Sequence, residues 1–138
     1  MDYNIEYYKN LSKLVDDFDN FSVIGHLDLI KRYDKEGILD DSLVIEYIED
    51  ILKKLIKNNK GIEVNTSSIR YKINDLMPSR NILKLYKSLG GEIITIGSDS
   101  HSIEHLAEGF DEIITELKEI GFNKLCTFDK MKPKFYDI

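Results

Sequence analysis

Asp99 and His101 stand one residue apart in "IITIGSDSH", residues 93 to 101, where an apolar run ends in a glycine. On an extended segment, residues two apart project to the same side. A carboxylate beside an imidazole suits a divalent transition metal, the carboxylate offsetting charge and the imidazole supplying nitrogen. The same residues also read as a loop, with Asp99 and Ser102 preceding a helix and His101 merely exposed. "GHLD", residues 25 to 28, repeats the theme: His26 is either a ligand or a satisfied core histidine, with Asp28 beside it. Two such signals at different strand ends, in a chain with only three histidines, favour a metal site. The third, His105, reads as a partly exposed surface residue in the first turn of a helix.

Arg32 in "LIKRY" and Arg70 in "NTSSIRY" each follow a strand end. A guanidinium there can clamp a phosphate with two parallel hydrogen bonds, or form a solvated salt bridge. On these residues alone the salt bridge is favoured, and Asn65 reads as a turn residue.

Something must hold these side chains in place. The clearest helix spans residues 41 to 60: Val44, Ile45, Ile48, Ile51, Leu52, Leu55 and Ile56 recur at three and four and make one apolar stripe. Asp40 and Asp41 precede it, lysines 53, 54 and 57 end it, and Gly61 is the expected stop. A second helix is expected from Pro78 and Ser79 to the Gly90–Gly91 pair. A third is expected from about Ile103 to Ile120, capped by Ser102 and turning Leu106, Phe110, Ile113, Ile114 and Leu117 inward. Residues 3 to 18 read as helix too. Between them lie "FSVIG", "GIEVN", "EIITIG" and "KLCTF", which have strand length and no helical period. This alternation predicts an α/β fold of about four parallel strands and helices, a single domain over residues 1 to 138, with its chemistry at the carboxyl ends of the strands.

The 138 residues carry a formal net charge of −6, which with no basic stripe argues against nucleic acid as a partner. No apolar run reaches the roughly 18 residues needed to cross a bilayer, so no membrane partner is expected. The acidic start is unlike a signal peptide, and the single cysteine, Cys126, excludes an internal disulfide framework. Together these fit a cytoplasmic protein.

Taken together, "VIGHLDLIKRY", "GIEVNTSSIR", "MPSRNILKLYKSLGGEIITIGSDSH" and "CTFDKMKPKFYDI" resemble the carboxyl-terminal half of the PHP (polymerase and histidinol phosphatase) family, in its histidinol-phosphatase branch. The resemblance implies a partial (β/α) barrel that holds divalent metal ions (zinc, manganese or iron). It implies that a metal-bound hydroxide hydrolyses histidinol phosphate to histidinol and phosphate, in histidine biosynthesis. By that resemblance His26, Asp99 and His101 are metal ligands and Arg32 and Arg70 bind the substrate phosphate, reversing the salt-bridge reading. Asp28 accompanies His26 in the motif, in a place to orient that imidazole.

The family's H-x-H motif, with the glutamate and histidine ligands after it, belongs to an amino-terminal half that has no counterpart in these residues. Three ligands leave each metal under-coordinated, so metal is expected to bind weakly to the chain alone. Full activity is expected to need an amino-terminal half as a second polypeptide. The alternative is a non-catalytic truncated remnant, or an interaction module that self-associates through open sheet edges.

Overall fold

The computed structural model describes residues 2–34 and 39–138. The chain opens with α1 (Tyr3–Asp17), whose first turn is capped by the Asp2 carboxylate accepting from Asn4 N–H at 2.9 Å. Its buried residues, Tyr8 and Val15 among them, face α2 (Ile45–Lys57), which answers with Ile48, Ile51, Leu52 and Leu55. Lys54 of α2 reaches across to Asp16 of α1 at 2.8 Å. The pair forms one layer over the sheet.

That sheet has three parallel strands in the order β1 (Val23–Ile24), β2 (Gly61–Asn65) and β3 (Ile94–Gly97). Val23 pairs with Gly61, and Ile62, Val64 and Asn65 pair with Ile94, Ile96 and Gly97. The central strand buries Ile62 and Val64, which lie two apart and so share the face turned to the hydrophobic core. α3 (Arg80–Ser88) connects β2 to β3 in parallel, its start capped by Ser79 Oγ accepting from Ile82 N–H at 3.2 Å. α4 (Phe110–Ile120) follows β3 and buries Ile113 and Leu117.

Three sequence expectations need correction. The fourth apolar run is no parallel strand: β4 (Lys124–Asp129) pairs antiparallel with β5 (Lys132–Asp137) in a separate two-stranded sheet. Lys130 and Met131 both take positive φ, 49° and 63°, the backbone of a tight hairpin turn that reverses the chain at once. Gly61 does not stop α2. Asn58 does, its N–H returning to Lys54 O at 3.1 Å, while Gly61 opens β2 where a Cβ would collide with Ile93.

The third helix starts late. Residues Ile103–His105 form one 3-10 turn, Ser102 makes no side-chain cap, and the α-helix begins only at Phe110. Ala107 (φ 56°) and Gly109 (φ 75°) break the helical path, and side chains from the strand ends fix the break. Ser98 Oγ accepts from Ala107 N–H at 3.2 Å and Thr66 Oγ1 donates to Glu108 O at 2.5 Å. Leu106 is therefore 73% exposed and not inward.

Candidate functional site

The polar residues that follow β1, β2 and β3 meet at one end of the sheet. His26 leaves β1 with φ 35° and Asp99 leaves β3 with φ 50°, left-handed conformations that few residues other than glycine adopt. His26 is held there by its N–H, which donates to Glu63 Oε2 at 3.0 Å. Glu63 projects from β2 between Gly25 and Gly97. A Cβ on Gly97 would collide with its carboxylate, and one on Gly25 would lie 3.3 Å from it.

Arg32 is the hub. It sits in the 3-10 turn Leu29–Tyr33 with its side chain only 6% exposed. Both terminal nitrogens lie 3.3 Å from Asp99 Oδ2, and Nη2 also donates to Asn65 Oδ1 at 3.4 Å and to Ser67 Oγ. The guanidinium stacks on Tyr71, 4.4 Å from the ring centre, a cation–π contact. Among the described residues its Nε is buried with no hydrogen-bond partner.

Arg70 works differently. Its Nη2 donates to Ser98 O at 2.7 Å and Asp99 O at 3.0 Å, while Nη1 pairs with Glu108 Oε2 at 3.1 Å. His105 Nδ1 lies 2.9 Å from the same Glu108 oxygen. The Arg70 guanidinium holds the Glu108 carboxyl below the ordinary glutamate range, helped by His105. Arg70 thus straps residues 98 to 108 to the turn after β2, and His105 joins this cluster.

His101 is exposed, with Nδ1 2.8 Å from Asp99 O. A carbonyl only accepts, so Nδ1 is the donor in this contact and the ring's other nitrogen, Nε2, is the one turned from it. The three proposed ligands are not drawn into one cluster, however. Among the described residues no group of three or more His, Cys, Asp or Glu side chains is close enough to hold a metal ion. These donors alone do not complete a metal site.

Asp28 is fully buried, and its contacts are to Lys31 and Ser79. Its Oδ2 lies 3.1 Å from Lys31 Nζ and accepts from Ser79 N–H at 3.0 Å. Lys31 also reaches Asp41 Oδ1 at 2.7 Å, and Ser79 Oγ donates to Asp41 Oδ2. Burial raises the Asp28 carboxyl above its ordinary value, against the lowering effect of Lys31. Burial alone would lower Lys31, but the two carboxylates outweigh it and the net direction is up. Asp28 is thereby tied to Lys31, in the same 3-10 turn that carries Arg32.

Sequence reasoning missed Glu63, Ser67, Tyr71 and Glu108. Glu63 carried a signal: a charged residue two before Asn65 on one face of an otherwise buried strand. The others become visible only when three strand ends are brought together.

Among the described residues no helix is long and apolar enough to cross a membrane. No family model matches the chain. Residues of the chain are 37% identical over 110 positions to a probable histidinol-phosphatase of Thermotoga maritima, covering 80% of this chain and 46% of that protein. A histidinol-phosphatase of Lactococcus lactis subsp. lactis is 32% identical over 131 residues, covering 92% of this chain and 48% of that one. The crystal structure of the histidinol phosphate phosphatase of Lactococcus lactis, complexed with zinc, L-histidinol and phosphate, superposes with a TM-score of 0.78 at 29% identity. It covers 94% of this chain and 49% of that one. A Listeria monocytogenes structure (TM-score 0.67, 21% identity, 77% of this chain and 42% of that one) shares the fold.

Proposed function

Since this chain belongs to the histidinol-phosphatase family and spans about half the length of the curated relatives it matches, we propose that it builds one wall of a phosphomonoester-hydrolysing site. The substrate on this reading is histidinol phosphate and the products are histidinol and phosphate. The observation that carries it is the meeting of His26, Arg32, Asp99 and Arg70 at the ends of three parallel strands, in a chain resembling a structure solved with L-histidinol and phosphate. His26, Asp99 and His101 are the donors this chain offers to divalent metal, zinc among the candidates. The remaining donors come from an amino-terminal half supplied as a second polypeptide, whose strands continue the open sheet into a barrel. Metal binds weakly until that half arrives.

Arg32 is the better placed phosphate clamp. It is preorganised by Asn65, Ser67 and Tyr71, and its cost of ordering is met before the ligand enters. Asp99 and Glu108 occupy the two arginines, and an incoming phosphate competes with these carboxylates for the same N–H groups.

The trial is reconstitution: mix the chain with an amino-terminal half bearing H-x-H and follow phosphate release from histidinol phosphate with added zinc or manganese. Activity should appear only in the mixture and vanish with His101→Ala. Activity that survives that substitution would sink the ligand assignment.

A second reading is favoured by exposed apolar residues beside the site, Ile103 at 90% and Leu106 at 73%, and by β1, which among the described residues pairs on one side only. On that reading the isolated chain is a non-catalytic module that associates with itself.

A further inference from the structure

Glu63 and Asn65 lie two apart on β2 and so share one face of the strand. Along that face runs an unbroken line of hydrogen bonds. Glu63 Oε2 accepts from His26 N–H at 3.0 Å and from Asn65 Nδ2 at 3.3 Å. Asn65 Oδ1 accepts from Arg32 at 3.4 Å, from Ser67 N–H at 3.1 Å and from Ser67 Oγ. An ionised carboxylate only accepts, so Glu63 draws the Asn65 amide nitrogen toward itself and turns its carbonyl toward Arg32.

We propose that Glu63 is a positioning residue: one carboxylate sets both the left-handed backbone of His26 and the amide orientation of Asn65 that aims Arg32. The slot between Gly25 and Gly97, where added side chains would crowd the Glu63 carboxylate, is what admits it. The inference deepens the reading of Arg32 as the phosphate clamp and rests on it for the ligand.

Four variants separate positioning from bulk packing. Glu63→Gln keeps an acceptor at the same place and should behave as wild type. Glu63→Leu keeps volume and loses the acceptor. Asn65→Asp sets a second carboxylate against Glu63 and breaks the line, and adding Glu63→Gln to it restores a donor–acceptor pair. The readouts are two, both on the purified chain by NMR. In the ligand-free protein, the His26 amide proton should move upfield in Glu63→Leu alone. On titration with inorganic phosphate, the Arg32 Nε–H signal should report affinity about tenfold weaker in Glu63→Leu and in Asn65→Asp, and near wild type in Glu63→Gln and in the double variant.

If wild-type Arg32 signals ignore phosphate, the clamp reading fails, and the His26 amide still judges Glu63. An unmoved His26 amide in Glu63→Leu overturns the positioning role. So does equal loss of phosphate affinity in Glu63→Gln and Glu63→Leu, because the acceptor that glutamine retains would then make no difference.

Discussion

Both terminal nitrogens of Arg32 stand 3.3 Å from one oxygen of Asp99, so residues 67 apart in sequence are joined at the point where β1 and β3 end. A guanidinium can make this contact and still serve Asn65 and Ser67, because its donors fan out in a plane. Lysine has one point charge and cannot. In the reconstituted enzyme, Arg32→Lys should therefore raise KM for histidinol phosphate by about 10- to 100-fold, the loss of charge-assisted hydrogen bonds worth about 1.5 to 3 kcal/mol. Unchanged KM would return Arg32 to a structural ion pair.

Arg70 should rank second. Its donors are spent on Glu108 and on two backbone carbonyls, so it orders the segment after β3 as much as it could meet a ligand. Arg70→Lys should raise KM by less than Arg32→Lys, and hydrogen exchange at Ala107, whose N–H is held by Ser98, should quicken. The opposite ranking of KM would reverse the assignment.

Lys31 sits between two carboxylates with 5% of its side chain exposed. Lys31→Met leaves Asp28 and Asp41 facing each other without a cation, and urea unfolding should register a loss of about 3 to 5 kcal/mol. The sign of its pH dependence follows from Asp28. Burial holds that carboxyl above its ordinary value, so its contribution is most favourable below about pH 3.9 and declines as pH rises through the raised folded-state value. Without Lys31 the carboxyl is held higher still and the decline extends to higher pH, so the variant's deficit should be larger at pH 8 than at pH 4. A deficit independent of pH would mean that lost packing, not charge, is responsible.

Glu108 gives the opposite sign. Arg70 holds its carboxyl below the ordinary value, so the stability it contributes is present above about pH 4.3 and fades as pH falls through the lowered folded-state value. A carbon-detected titration should place the Glu108 midpoint below the glutamate norm, and Arg70→Ala should return it there. A midpoint indifferent to Arg70→Ala would dissolve the strap.

The sequence carried the helices and the parallel sheet because both rest on local periodicity: the stripe of Ile48, Ile51, Leu52 and Leu55 needs no partner to be read. It also placed His26, Asp99, Arg32 and Arg70 at strand ends. What stayed hidden was set by tertiary contact. The helix expected from Ile103 is undone by Ser98 and Thr66, which bind the backbone of residues 107 and 108 from other strand ends. The run "KLCTF" reads as a parallel strand until the left-handed pair Lys130 and Met131 folds it onto β5. The pairing of Asp28 with Lys31, one turn away, is likewise set by burial, because a buried carboxylate needs a cation.

Association of the isolated chain is the last expectation. Among the described residues β1 pairs with β2 alone, which makes it an edge strand, and Ile103, Leu106 and Tyr71 add exposed apolar surface. Covering such surface is worth about 25 cal/mol per Å² before the cost of association, so a partner that continues the sheet should be preferred to water. Light scattering should find the chain alone as a dimer or larger species at micromolar concentration, with less than one metal ion per chain after dialysis. Adding an amino-terminal half should convert it to a one-to-one complex that retains metal, because the new strands cover the edge and bring the donors that His26, Asp99 and His101 lack. A monomer that keeps stoichiometric metal unaided would show that neither the edge nor the donor set needs completion.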